Sequence, residues 1–229
     1  MTERTTAAPA ASAPLSPTPR SSLGRKKERA GTDRAELHAI LDAALVCHLG
    51  LVLDGHPVVL PTGIGRDAET LYLHGSSGAR SLLAAEAEPE ACVTVTLLDE
   101  IIYARSLQHH SMNYRSAVIH GRLRAVTDPD EKLHGLRVLT EHLAPGSWEH
   151  AREPSAKELA GVSVVAMPLD EASVKSRSGP PGDDPADVEA AAAWAGRLPL
   201  RQQWGEPIPA PDLPDGTTTP AHVARRAAR

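Results

Sequence analysis

The chain has no phenylalanine, and Trp and Tyr supply three residues each, so aromatics make up 3% of the sequence. With Ala, Arg, Pro and Gly abundant instead, this is the composition of a GC-rich coding sequence and says nothing about function. Cysteine is scarce as well. Cys47 and Cys92 both lie in apolar segments, which excludes a disulfide framework or a zinc-ligand spacing and predicts two buried thiols. No run of about 18 apolar residues occurs, which excludes a membrane-spanning helix. The Ala/Pro/Ser/Thr-rich start lacks the apolar core of a secretion signal, so a cytoplasmic protein is expected. Basic charge is not in excess: 24 Lys+Arg stand against 29 Asp+Glu, a formal net charge of -5, and no overall field attracts nucleic acid or anionic lipid. Phosphate chemistry then falls to individual arginines. No strand leads into a Gly-rich phosphate loop, and no Ser-His-Asp order or paired-carboxylate spacing points to hydrolysis.

What is present fits one domain with tails, since a domain takes roughly 100–200 residues. Residues 1–32 are too polar and Pro-rich to repay the entropy of ordering and are expected to form a disordered N-terminal tail, its basic run Arg25-Lys26-Lys27-Glu28-Arg29 simply solvated. Residues 33–200 carry the folded domain, and 201–229 read as a Pro-rich C-terminal tail.

Within the domain, Asp33 and Glu36 have capping-box spacing, and Leu37, Ile40, Leu41, Ala44 and Leu45 share a helical face. Val46–Leu53, Pro57–Ile64 and Leu71–His74 read as an antiparallel meander with turns at Asp54-Gly55 and Gly65-Arg66-Asp67. Residues 78–87 predict a short helix. Val93, Val95 and Leu97 alternate with Cys92, Thr94 and Thr96, which predicts a strand over Ala91–Leu98. Ile101–Ser106 and Ser116–Thr127 predict two more strands around a polar, His-rich connection, Leu107–Arg115. Asp128-Pro129-Asp130-Glu131 opens a helix to about Leu143, which Pro145-Gly146 stops. Gly161–Leu169 reads as the last long strand, with a short helix through Ala190–Trp194 beyond it. Many short strands with a few helices predict a mainly β fold, a barrel with helical decoration.

Two segments carry chemistry. Leu71 to Ser81 ends a strand in small polar residues and starts a helix, so that His74, Gly75, Ser76, Ser77 and Arg80 bring together hydroxyls, backbone N–H groups and a guanidinium. That set suits a phosphate, as it also suits a plain polar turn with a helix cap. In Met112-Asn113-Tyr114-Arg115-Ser116, Arg115 and Ser116 enter a sheet on opposite faces. An arginine at the mouth of a barrel needs a carboxylate or a ligand phosphate beside it. Of the eleven histidines, the adjacent His109 and His110 would point apart on a strand and cannot chelate one ion together, so no metal site is expected.

Taken in order, Ile40-Leu41-Asp42, Cys47-His48-Leu49-Gly50, Leu71-Tyr72-Leu73-His74-Gly75-Ser76, Val93-Thr94-Val95-Thr96-Leu97, Ala104-Arg105-Ser106, His109 to Ser116, Lys157-Glu158-Leu159, Gly179-Pro180-Pro181 and Trp194-Ala195-Gly196 resemble the FMN-binding split-barrel proteins of the pyridoxamine 5′-phosphate oxidase-like family. The resemblance spans about Asp33 to Leu200. It implies a homodimer with FMN at the subunit interface and an oxidoreductase acting on a small organic molecule, with a nicotinamide or a deazaflavin as electron donor. By the same resemblance Pro61-Thr62 lies along the flavin ring and the turn from His74 to Arg80 takes the phosphate. Asn113, Tyr114, Arg115 and Ser116 meet the flavin across the dimer, joined by Lys175, Arg177 and Trp194. His74 and Arg115 would shape the substrate side. In a haem-binding relative His74 would instead be an axial ligand; a non-catalytic flavin carrier is the third reading. Ala79, Glu100, Ser147, Val174 and Ser176 depart from the family pattern. The C-terminal half lacks the basic and Ser-rich substrate signature of true pyridoxamine 5′-phosphate oxidases, which argues against vitamin B6 oxidation.

Overall fold

The computed structural model describes residues 14–15 and 18–228, with the side chains of Arg80, Leu83 and Glu86 outside the description. After a two-residue strand β1 (Ala30–Gly31), helix α1 (Arg34–Ala43) starts where the Asp33 carboxylate accepts the Ala35 N–H. Its apolar stripe, Leu37, Ile40 and Leu41, is buried. Strands β2 (Val46–Leu53) and β3 (His56–Gly63) form a hairpin on Asp54-Gly55, both at positive φ, which is what a two-residue turn compatible with strand twist requires. There follow β4 (Gly65–Asp67), β5 (Thr70–Ser76), α2 (Arg80–Leu83), β6 (Glu90–Tyr103), β7 (Ser111–Arg122) and β8 (Arg124–Ala125). Asp128 then accepts the Glu131 N–H, and Pro129 sits in the first turn of α3 (Pro129–Leu143), as the sequence predicts. The rest is α4 (Ala156–Gly161), β9 (Val162–Pro168), β10 (Glu171–Arg177), α5 (Pro185–Ala190), β11 (Gly196–Pro199) and α6 (Ala221–Ala227).

The strands build two antiparallel sheets. The larger runs β1-β10-β7-β6-β2-β3, with β11 also on β6; the smaller runs β4-β5-β9-β8. Their inner faces, with α1, bury one apolar core that includes Leu49, Leu71, Leu73, Val93, Val95, Ile119, Val165 and Met167. The small sheet's outer face is covered by α3 through a second cluster, Tyr72, Val126, Leu139, Val164 and Ala166. This is the mainly β split barrel expected. Among the described residues no helix is long and apolar enough to cross a membrane. Both cysteines are free; burial pushes the Cys47 thiol up to about 12.

Several elements differ from expectation. The strands expected at Ala91–Leu98 and Ile101–Ser106 are one, β6, which passes Asp99 with a shift in register between Leu98 and Glu100. Strand β7 starts at Ser111, inside the stretch expected to be a connection. Residues 161–169 do not hold the last strand: β10 and β11 follow. The short helix is at Pro185–Ala190 rather than 190–194. The terminal segments expected as tails also differ in their described parts. Leu15 is buried in the core, and β1 pairs with β10. At the other end, α6 and Trp204 fold back toward the end of α3.

Candidate functional site

The split in the barrel comes from β6. Its 14 residues outrun either neighbour on one edge. Residues 91–94 pair with β2 and 100–103 with β11, and no described strand pairs with 95–99 along that edge. A cavity of about 850 Å³ opens at this gap, with Leu45, Val46, Thr96 and Leu97 on the barrel side and Gln202, Gln203 and Trp204 of the C-terminal segment opposite. Leu200 N–H donates to the Asp99 carbonyl at 2.8 Å, which fixes that segment over the gap.

The outer face of the large sheet leads into the cavity. Cross-strand pairing sets Thr96 beside Ser116 and Ser116 beside Lys175, and in the next row His48 beside Thr94 and Thr94 beside Val118. Small hydroxyl side chains stand here where the inner face carries Val95 and Ala117. Val46, Leu98 and Met112, all on this sheet, are also exposed.

The expected site residues fall into two groups. Arg115 follows the inner-face positions Ile119 and Ala117 to the barrel mouth, opposite in face to Ser116. The Asp99 carboxylate takes both hydrogen bonds of its fork, at 3.0 and 2.7 Å, and this pairing raises the guanidinium pKa. Asn113 is 2% exposed and fully engaged. Its amide donates to Glu100 at 2.5 Å and to the Gly179 carbonyl at 3.0 Å, while its oxygen accepts from Arg177. Arg177 also donates to the Pro180 carbonyl at 3.2 Å. Glu100, where the family pattern has glycine, thus binds Asn113 and lies 3.5 Å from Arg197. Ser116 Oγ donates to the Lys175 carbonyl at 3.0 Å. Tyr114 is half-buried and paired with Arg177 across the strands. Thr62 pairs with Cys47 on the β2–β3 hairpin. Trp194 is 71% exposed, its ring 5.9 Å from that of Tyr103.

The second group is on the small sheet. His74 pairs with Val164, two register places beyond the Tyr72–Ala166 pair, and so shares the outer face that α3 covers. Its imidazole is exposed and has no hydrogen bond among the described residues. At Gly75 a Cβ would stand 2.8 Å from Leu82, so glycine lets α2 close on the strand. Ser76 Oγ accepts the Gly78 N–H at 3.3 Å, and Ser77 N–H donates to the Gly161 carbonyl at 3.1 Å. The Arg80 side chain lies outside the described residues. Among the described residues no hydrogen bond or ion pair joins the two groups.

The residues present fit a flat heteroaromatic ring system: Thr96, Gln202 and Gln203 offer hydroxyl and amide groups to a polar edge, and Leu45, Val46 and Leu97 offer apolar surface to a ring face. Gln202, Gln203, Trp204 and Arg226 were hidden from sequence reasoning because a Pro-rich stretch has no periodicity. The Trp204 and Gln pair was the available signal. No group of three or more His, Cys, Asp or Glu able to hold a metal ion exists among the described residues. His109 ends a helical turn rather than a strand, 3.5 Å from Asp184.

Comparison with known proteins agrees with this architecture. The family model described as pyridoxamine 5′-phosphate oxidase matches residues 33–176. The flavocytochrome Anf3 from Azotobacter vinelandii superposes with a TM-score of 0.87 at 36% identity, covering 93% of this chain and 99% of its own. A FAD and heme binding protein from Mycobacterium smegmatis gives 0.83 at 38% identity, covering 86% and 97%. No curated protein matches the chain. With 144 consecutive residues inside the family model and two near-full-length structural relatives, the chain belongs to the pyridoxamine 5′-phosphate oxidase-like family of split-barrel proteins.

Proposed function

We propose that the protein is a cytoplasmic, homodimeric, flavin-dependent oxidoreductase acting on a small organic molecule, and not a vitamin B6 oxidase. The observation that carries this reading is the opening at the gap in β6, a space of about 850 Å³ where Thr96, Gln202 and Gln203 stand with the apolar Leu45, Val46 and Leu97, and where Asp42, Glu141, His142 and Arg226 also line the walls. Ligand pockets are typically ~300–1,000 Å³. When bound, the flavin would supply the redox chemistry, and the protein the orientation and electrostatics.

Thr96, Ser116 and Lys175 line the approach for the ring, with Ser76, Ser77 and Arg80 as the phosphate turn. The two groups stand on different sheets, and a second copy placed against the bare outer face would bring one copy's turn to the other's ring site. Arg115, already neutralised by Asp99, orients substrate at the barrel mouth and carries no free charge. The flavin is FMN on the family pattern; FAD, the flavin named for the M. smegmatis relative, is the alternative, and chromatography of the flavin released by denaturation separates them. Reduction by a nicotinamide or by a deazaflavin identifies the donor.

A second reading adds haem. It rests on the exposed His74 imidazole, which has no hydrogen bond among the described residues, and on two relatives whose names join flavin with haem or cytochrome. His74 would be the axial ligand. The absorption spectrum of freshly purified protein tests both readings. A yellow flavin spectrum is expected, weakened far more by Arg80→Ala than by His74→Ala; a Soret band lost in His74→Ala supports haem. Protein that is colourless and takes up neither FMN nor FAD overturns the proposal.

A further inference from the structure

Beside the opening at β6 lies a second cavity, of about 450 Å³. Its walls are mostly apolar: Leu143, Ala144 and Pro145 at the end of α3, and Pro207, Val223 and Ala227 of the C-terminal segment. Trp204 and Arg226 line both cavities. The Arg226 guanidinium lies over the Trp204 ring, 4.4 Å from its centroid, and stacking of this kind holds a guanidinium in place without neutralising it.

Arg226 makes no hydrogen bond through its side chain and no ion pair among the described residues. The two carboxylates that line the larger opening with Arg226 are already committed. Asp42 takes both forks of Arg66, at 2.9 and 2.7 Å. Glu141 accepts the Gly146 and Trp148 N–H groups at 2.7 and 2.9 Å, which holds it below the usual carboxylate range. Among the described residues, then, a positioned cation without a counter-charge stands at the rim of a largely apolar chamber. Among the described residues the other ionisable group lining that chamber is His222, whose ring packs on His150 at 4.8 Å.

We infer that this second cavity is a binding site for a small organic acid with an apolar body, its carboxylate on Arg226 and its hydrocarbon among Leu143, Pro207 and Val223. A guanidinium binds a carboxylate through two parallel charge-assisted hydrogen bonds, and partial burial strengthens them. The chamber is of ligand size, and besides Arg226 its described walls carry few polar side chains, Ser147, His222 and the Trp204 indole. The site is independent of which cofactor the larger opening holds.

Calorimetric titration of the full-length protein, as purified, with octanoate and with 1-octanol tests this. Octanoate is expected to bind about tenfold more tightly than the alcohol, the value of a hydrogen bond to a charged group. Arg226→Gln should remove that preference while leaving 1-octanol affinity unchanged, which a collapse of the cavity would not do. Arg226→Lys should restore part of it. Val223→Trp, which fills the chamber, should weaken both ligands. The inference is overturned if octanoate fails to bind, if Arg226→Gln leaves the preference intact, or if octanoate expels the bound cofactor and so occupies the larger opening instead.

Discussion

The two sheets share a core but use their outer faces differently. The small sheet packs its outer face against α3, with Tyr72, Val164 and Leu139 at the contact. The large sheet leaves most of its outer face bare, with Thr94, Thr96, Ser116 and Lys175 where the other sheet has apolar groups. A sheet face covered by a helix contributes to stability and is closed to ligands. A bare face lined with small hydroxyls contributes little to stability and keeps room for a planar ligand or a second copy of the chain. In the proposed reading the flavin ring lies on the large sheet's outer face, while the small sheet gives the phosphate turn and the support.

Substitutions on the two faces should separate these roles. Leu139→Ala, at a position 5% exposed, should cost about 2–5 kcal/mol by leaving a cavity between α3 and the small sheet, read as a lower urea midpoint. Gly135→Ala should cost about 1–3 kcal/mol, because a Cβ there would meet Tyr72 at 2.9 Å and Val164 at 3.0 Å in a contact with no room to expand. On the bare face, Thr96→Ala should change stability by under about 0.5 kcal/mol, as surface substitutions do. Its effect should appear in flavin affinity instead, lowered by about 1 kcal/mol for one hydrogen bond, measured by fluorescence titration. If Thr96→Ala destabilises the fold as Leu139→Ala does, the division of labour fails.

The weakest effect concerns a part of the large sheet's outer face that the N-terminal segment covers. Arg20 binds Glu171 at 2.5 Å and Glu90 at 2.8 Å, and Thr18 also donates to Glu171. These hydrogen bonds, that of Arg20 foremost, lower the Glu171 carboxyl from 4.5 to about 2. Because the folded-state value lies below the ordinary one, this tether is complete above about pH 4.5 and is lost as the pH falls through 2. Pepsin should cut residues 18–29 of the wild type near pH 2 but not at pH 4.5, and should cut Glu171→Gln at both.

Much of the barrel was legible because its elements announce themselves locally. Asp54-Gly55 sets the hairpin, Asp128-Pro129 opens α3, and the alternation from Cys92 to Leu97 marks β6. The misreadings share a physical cause. Strand β10 puts Ser173, Lys175 and Arg177 on the bare face, so it lacks the apolar density expected of a barrel strand. The N-terminal segment is ordered by an ion pair 151 residues apart in sequence, and the C-terminal one by Arg226 on Trp204; neither contact leaves a local period. The site was half legible. Of the two partners expected for Arg115, a carboxylate or a ligand phosphate, it has the carboxylate, and Asn113 and Arg177 do meet, but through each other and Glu100. The opening at β6 could not be read, because it arises from strands that stop short rather than from any motif.

That opening also has a place in time. Strands β6 and β7 are joined by a short connection and pair locally, whereas β11 must reach β6 from far along the chain, and closing long loops is slow. The wall formed by residues 196–204 is therefore expected to come last. During synthesis a cofactor would meet an open groove, and the emerging C-terminal segment would close behind it.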